Sequence, residues 1–450
     1  MAGAHRAFPL QVRTGSIVMD CVLRGDQVLI DARLRPAAVG IADGRIAAIG
    51  PVDADCPAVQ DSRLPDGVVL LPGFVDTHVH VNAPGTDWEG FVTATAAAAA
   101  AGITTVVDMP LDCRPVTTTV AALRAKQAAA EGNCLIEVQY WAGVVPGNLG
   151  ELEGLAQAGV RGFKCFLAES GNPDFGYLTP EEFRTAMSRI AELDSVLLVH
   201  AESHHVIAEN APPHGRRYAS FLQSRPDAAE EEAVALVIDT AARSGGRAHI
   251  VHVSSARVLR MLAAAKRSGV RVTAETCPHY LTFAAETVAD GATELAACPP
   301  IRAGANRDRL WDGLLAGTLD MVVSDHSPCA PKFKAAGDFG RAFGGISSLQ
   351  VGPSAMWAHA RHRGFGLPEL SRWMAQRPAE LAGLADRGRI AVGLRADLCA
   401  FDPSAEETVS AATLHHRHPV TPYDGATVRG SAVQSWVAGR PVLGRARVPA

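Results

Sequence analysis

Two histidines one residue apart close the stretch Gly73-Phe74-Val75-Asp76-Thr77-His78-Val79-His80. Alternate residues of a strand face the same side, so His78 and His80 would project together as a bite for one metal ion; two ordinary histidines at a strand end would carry the same pattern. Further polar residues stand where apolar runs give way. Lys164 lies within Gly162-Phe163-Lys164-Cys165-Phe166-Leu167, His200 ends Val196-Leu197-Leu198-Val199-His200, His252 follows Ile250-Val251, and Asp325 ends Met321-Val322-Val323-Ser324-Asp325. A lysine in an apolar run is costly unless it is paired or chemically altered. Four imidazoles and a carboxylate can hold divalent cations, but two such cations a few ångströms apart repel unless an anion bridges them. Lys164 would be that anion if its amine had reacted with CO2 to give a carbamate; an unmodified Lys164 paired with an acid is the alternative.

Something must carry these residues to one place. Short apolar runs recur at 74–79, 104–109, 135–141, 162–167, 195–199, 248–253, 270–274 and 321–324, and between them lie segments of helical pattern such as 117–130, 180–193, 228–242 and 256–268. Continuous apolar runs suit strands buried on both faces. Eight strand–helix alternations predict an α/β fold, a (β/α)8 TIM barrel, with its active site at the C-terminal rim. The candidate residues fall at or near that rim. An open doubly wound sheet would carry a Gly-rich phosphate turn after the first strand, where this chain has His-x-His. The segments on either side of the barrel read as short strands punctuated by turn residues such as Asp43-Gly44 and Asp424-Gly425. They predict one small composite β-sandwich domain, built from 1–70 and 385–450 around a barrel at 71–384. The Ala-rich run 94–101, closed by Gly102, predicts a packed helix.

Composition narrows the function classes. The chain has 450 residues, with 42 Lys+Arg against 47 Asp+Glu, a formal net charge of −5. That balance gives no reason to expect a nucleic-acid or acidic-membrane partner. No apolar stretch is long enough to span a bilayer, and residues 1–16 lack a charged start followed by an apolar core, so a cytoplasmic location is expected. Nine cysteines without a CxxC pair favour neither a disulfide framework nor a thiolate zinc site.

His78-x-His80, the Gly-Phe-Lys-Cys-Phe strand, His200, His252 and Ser324-Asp325-His326-Ser327 together resemble the cyclic amidohydrolases, binuclear enzymes with a carboxylated lysine. The likeness covers essentially the whole chain. Within the group, Asp87-Trp88-Glu89-Gly90, Cys277-Pro278-His279-Tyr280, Pro299-Pro300-Ile301-Arg302 and Gly344-Gly345-Ile346 are most similar to the allantoinase branch. Dihydroorotases usually carry an Arg two positions after the second barrel His and an Asn before Pro-Pro; Asn82 and Cys298 stand there, so a carboxylate partner is missing. Hydantoinases and dihydropyrimidinases usually place a Tyr shortly after the modified lysine, and Leu167-Ala168-Glu169-Ser170 has none. One departure is Ala297-Cys298 before Pro-Pro, where related allantoinases commonly have Lys-Cys-Ser.

The resemblance implies one divalent ion held by His78, His80, Asp325 and N6-carboxylated Lys164, and a second held by the same carbamate with His200 and His252. Zinc is preferred, with manganese, cobalt or iron as alternatives. A bridging hydroxide would be the nucleophile and Asp325 the general base and then acid, opening allantoin to allantoate. Asn82, the backbone at Cys298, Ser327 and Gly344 would lie near this small cyclic ureide, in a homotetramer or dimer. Hydantoinase or dihydropyrimidinase activity is the alternative, ahead of dihydroorotase or a non-catalytic scaffold, since scaffold relatives lose ligands that this chain retains. Of the other histidines, His279 would end the seventh strand, as a partner of the ligands or as a structural residue. His326 would face away, His204 and His205 would be solvated, and His415, His416 and His418 form a weak cluster. Cys165 would face packing rather than the site. Residues 332–341, with Gly337 and Gly340, suggest a mobile loop, either a lid or a plain insertion.

Overall fold

The computed structural model describes residues 11–12 and 18–442. All eight expected strands are present: Phe74–Val79, Ile103–Asp108, Glu137–Tyr140 (resuming as Ala142–Gly143), Phe163–Phe166, Val196–His200, Arg247–Ile250, Val272–Thr276 and Met321–Val322. Each pairs in parallel with the next. The ring closes where Val79 bridges His326 and the His80 N–H donates to the His326 carbonyl at 2.8 Å. The (β/α)8 barrel is therefore observed.

Local chemistry sets the helices between strands. Thr119 accepts from the Ala122 N–H to start Val120–Ala130. Thr179 and Glu182 form a reciprocal capping box ahead of Pro180–Glu192. Gly245, at φ 67°, ends Asp227–Ser244 in the left-handed conformation that glycine adopts at least cost. The Ala-rich run forms the helix Phe91–Ala100. The strands then divide their side chains between two cores. Phe74, Phe163, Cys165 and Val199 pack outward against helices, while Val107, Trp141, Phe166, Leu198 and Val251 form a separate cluster with Ala379 and Leu384. Cys165 faces packing, as strand alternation from Lys164 requires.

The two ends of the chain share a nine-stranded sheet. Its centre joins them: Val69–Pro72 pairs antiparallel with Leu398–Thr408, which pairs antiparallel with Thr427–Val437. Cys21, Val39, Leu70, Leu398 and Trp436 bury a common apolar face. Gly102 lies where this sheet meets the barrel. Its φ is 84°, and a Cβ there would sit 2.5 Å from Cys399 Sγ, so only glycine permits the approach.

Candidate metal centre

The six residues singled out by type and spacing line one cavity of about 650 Å3. His78 projects from the first strand, Lys164 from the fourth and His200 from the fifth. The strand-end expectation needs correcting for the other three: His80 follows the first strand directly. His252 lies two residues beyond the sixth strand and Asp325 three beyond the eighth. Both have left-handed backbones, with φ of 37° and 44°. Asn82 and Asp112, on loops leaving the first and second strands, share that conformation, with φ of 58° and 61°. Such backbone is costly for residues other than glycine and persists only where surrounding structure enforces it. The loops, rather than strand alternation, aim these side chains.

The donors converge. His78 Nε2 lies 3.2 Å from Asp325 Oδ1 and His80 Nε2 3.7 Å from the same oxygen. Ser327 Oγ donates to that oxygen at 3.0 Å. His200 Nδ1 faces His252 Nε2 at 2.9 Å. Lys164 Nζ is buried with no hydrogen-bond partner among the described residues. Burial lowers its pKa to about 8, against the opposing pull of Glu275 and Asp325. Burial also lowers His200 to about 4 and holds His80 and His252 well below the usual imidazole range. These imidazoles are neutral, the form that coordinates metals. His78, His252 and Asp325 can each offer a ligand atom within 4.8 Å of the others. The nitrogen and oxygen donors and the orphaned lysine amine fit a site for divalent cations.

Two carboxylates that the motif reading did not single out stand behind these ligands. Glu275 accepts from His78 Nδ1 at 2.5 Å and from His249 Nε2 at 2.9 Å. Burial works against its charge, but His78 and His249 outweigh it and hold its pKa below the usual range. Glu202 accepts from His200 Nε2 at 2.8 Å and from Arg225 Nη1 at 2.5 Å. Burial opposes its charge too, yet Arg225 and His200 bring its pKa down to about 2. Each carboxylate fixes a ring orientation that leaves the other nitrogen facing the cavity.

Cys298, Ser327 and Gly344 line the cavity; Asn82 is not among its lining residues. Asn82 Nδ2 instead donates to the Pro328 carbonyl at 3.2 Å. His279 does not end a strand but sits in the short helix Pro278–Thr282, buried and unpartnered at both ring nitrogens among the described residues. His326 Nε2 donates to Glu89 at 3.1 Å while its Nδ1 accepts from the Ser348 N–H, a structural role. His204 stacks on Tyr177, and His205 is exposed. His416 packs against His326 and His418 pairs with the Asp87 carbonyl, and neither joins a candidate metal group among the described residues. The stretch expected as a mobile loop is tethered: Lys334 Nζ donates to the carbonyls of Phe343 and Gly345 at 2.9 and 2.5 Å. Trp88 packs between Phe333 and Phe343 beside the cavity.

A parallel barrel whose rim gathers nitrogen and oxygen donors in an open cavity is the architecture of a metal-dependent hydrolase. The amidohydrolase family model matches residues 69–442, and the chain belongs to that family. It is 48% identical over 428 residues to an allantoinase of Streptomyces avermitilis, covering 94% of this chain and 96% of that protein. It is 40% identical to an allantoinase of Rubrobacter xylanophilus, covering 98% and 96%. Among solved structures, an L-hydantoinase (dihydropyrimidinase) from Arthrobacter aurescens superposes with a TM-score of 0.89 at 28% identity, covering 96% of this chain and 98% of that one. No helix among the described residues is long and apolar enough to cross a membrane.

Proposed function

We propose that this protein hydrolyses the cyclic amide of allantoin, opening the ring to allantoate. The observation that carries this reading is the 48% identity to an allantoinase over nearly the full length of both chains. His78, His80, Asp325 and Lys164 as a carbamate would hold one divalent cation, and His200, His252 and the same carbamate the other, zinc being preferred. When bound, such cations polarise the scissile carbonyl and make hydroxide available near neutral pH.

The chain's own residues do the rest. Asp325 would accept a proton from the attacking water and return it to the departing ring nitrogen. Ser327 Oγ donates to Asp325 Oδ1 and holds its rotamer. Glu202 and Glu275 keep the imidazoles behind the reacting centre in fixed orientations. Trp88, Phe166, Phe339 and Phe343 supply apolar walls that limit water around the ring. The backbone at Cys298 and Gly344 would bind the ring, whereas Asn82 would act indirectly by holding the Pro328 carbonyl next to Ser327. The division into a barrel at 71–384 and a composite β-domain from the flanking segments, and assembly as a homotetramer or dimer, belong to the same reading.

The test is an assay of purified protein with added zinc and bicarbonate, offering allantoin, hydantoin, dihydrouracil and dihydroorotate in parallel. Allantoin should be turned over with the highest kcat/KM. Turnover of dihydroorotate or hydantoin without allantoin would overturn the substrate.

A further inference from the structure

Arg225 follows the helix Tyr218–Ser224 and is the one arginine among the residues lining the cavity. Its side chain is 18% exposed. A guanidinium has five N–H donors, yet among the described residues this side chain makes a single hydrogen bond, from Nη1 to Glu202 Oε2. The donors at Nε and Nη2 have no protein partner among those residues. Glu202 is fully buried and forms an ion pair with it at 2.5 Å. The arginine thus offers hydrogen-bond donors whose charge is already balanced.

That pairing decides what the donors suit. A free guanidinium in an apolar-walled cavity would draw a carboxylate through a bidentate ion pair. Here its net field is small, and the other fixed charges lining the cavity apart from the metal-ligand set, Asp112 and Glu169, are acidic. Among these side chains a carboxylated ring finds no uncompensated cation to pair with, while a neutral carbonyl oxygen meets unused N–H donors. Leaving a polar site unpaired against the wrong substrate is also how hydrogen-bonding sites discriminate most strongly.

We infer that Arg225 is a specificity-determining residue, donating hydrogen bonds to a carbonyl oxygen of an uncharged cyclic ureide while Glu202 cancels its charge toward carboxylated rings. This rests on the reading of the substrate given above. Arg225 has a second connection, through Glu202 to His200, so its role must be separated from one of merely holding a metal ligand.

The experiment compares metal-loaded wild type, R225Q, R225K and E202Q. It measures allantoin kinetics, inhibition by dihydroorotate and metal content per chain. R225Q should keep the wild-type metal content while its KM for allantoin rises by about tenfold or more, the loss of a hydrogen bond from a charged donor. R225K keeps the charge and most of the packing but not the planar fork, so it should show a smaller rise, and it carries the test if R225Q does not fold. E202Q uncovers the arginine's charge and should tighten dihydroorotate inhibition relative to the allantoin KM by about tenfold. An allantoin kcat/KM within about twofold of wild type in both arginine variants would overturn the inference. So would losses in the arginine variants that track missing metal, or an unchanged inhibition ratio in metal-loaded E202Q. Wild type that leaves allantoin intact would instead overturn the functional reading. Calorimetric binding of dihydroorotate to wild type and E202Q then still decides whether Glu202 masks Arg225.

Discussion

Replacing Glu275 by Gln keeps its shape and removes its charge, leaving His78 Nδ1 with a weaker acceptor. Loss of such an outer partner typically lowers metal affinity about 10–100-fold. The expected outcome is a folded Glu275→Gln protein that loses metal on dialysis where wild type retains it, read by metal analysis beside circular dichroism. Equal metal content in the two proteins would argue against a role behind His78. Glu275 was within reach of sequence reasoning: an acid in the buried strand Val272–Thr276 violates the same burial rule that exposed Lys164. Glu202, two residues after His200, was also visible by position. Its partner Arg225 was not, because the pair spans 23 residues and is made only when two barrel loops meet.

Between elements, one buried ion pair ties a helix to the rim. Lys126, on the helix Val120–Ala130, donates to Asp108 Oδ2 at 2.6 Å and to the Met109 carbonyl at 2.8 Å. Asp108 Oδ1 in turn accepts from the Val81 N–H, just beyond His80. Lys126→Met strands a buried carboxylate, which typically costs about 3–5 kcal/mol. Burial already raises the Asp108 pKa despite Lys126, and without the lysine it should rise further. A carboxyl with a raised folded pKa binds more protons folded than unfolded, so the variant loses stability as pH climbs from the unfolded carboxylate range toward the raised value. Its deficit against wild type should therefore shrink on acidification; a pH-independent deficit in denaturant melts would contradict this. At this scale the strands were legible because each is a short apolar run buried on both faces. The left-handed turns at His252 and Asp325 were not. Asp and His adopt positive φ more readily than most residues, but the residue type does not say at which position the barrel imposes it as its loops leave the rim. The tether at Lys334 was hidden for a similar reason: its acceptors are backbone carbonyls nine and eleven residues away.

Over the whole molecule, both ends of the chain meet in one sheet, and the pairing of Val69–Pro72 with Leu398–Thr408 brackets the barrel. If the centre binds cations in the folded state only, cations stabilise the fold by mass action. Chelation should then lower the thermal midpoint and abolish amidase activity, and zinc with bicarbonate should restore both; a midpoint indifferent to chelator would mean that the centre contributes nothing to stability. The most direct measurement concerns Lys164, the buried amine with no hydrogen-bond partner among the described residues. Metal content and allantoin turnover should be determined for Lys164→Ala with and without a short carboxylic acid. The expected result is loss of both, with partial recovery when the acid supplies the missing anion. Full metal loading and wild-type turnover without any added acid would contradict a bridging lysine carbamate.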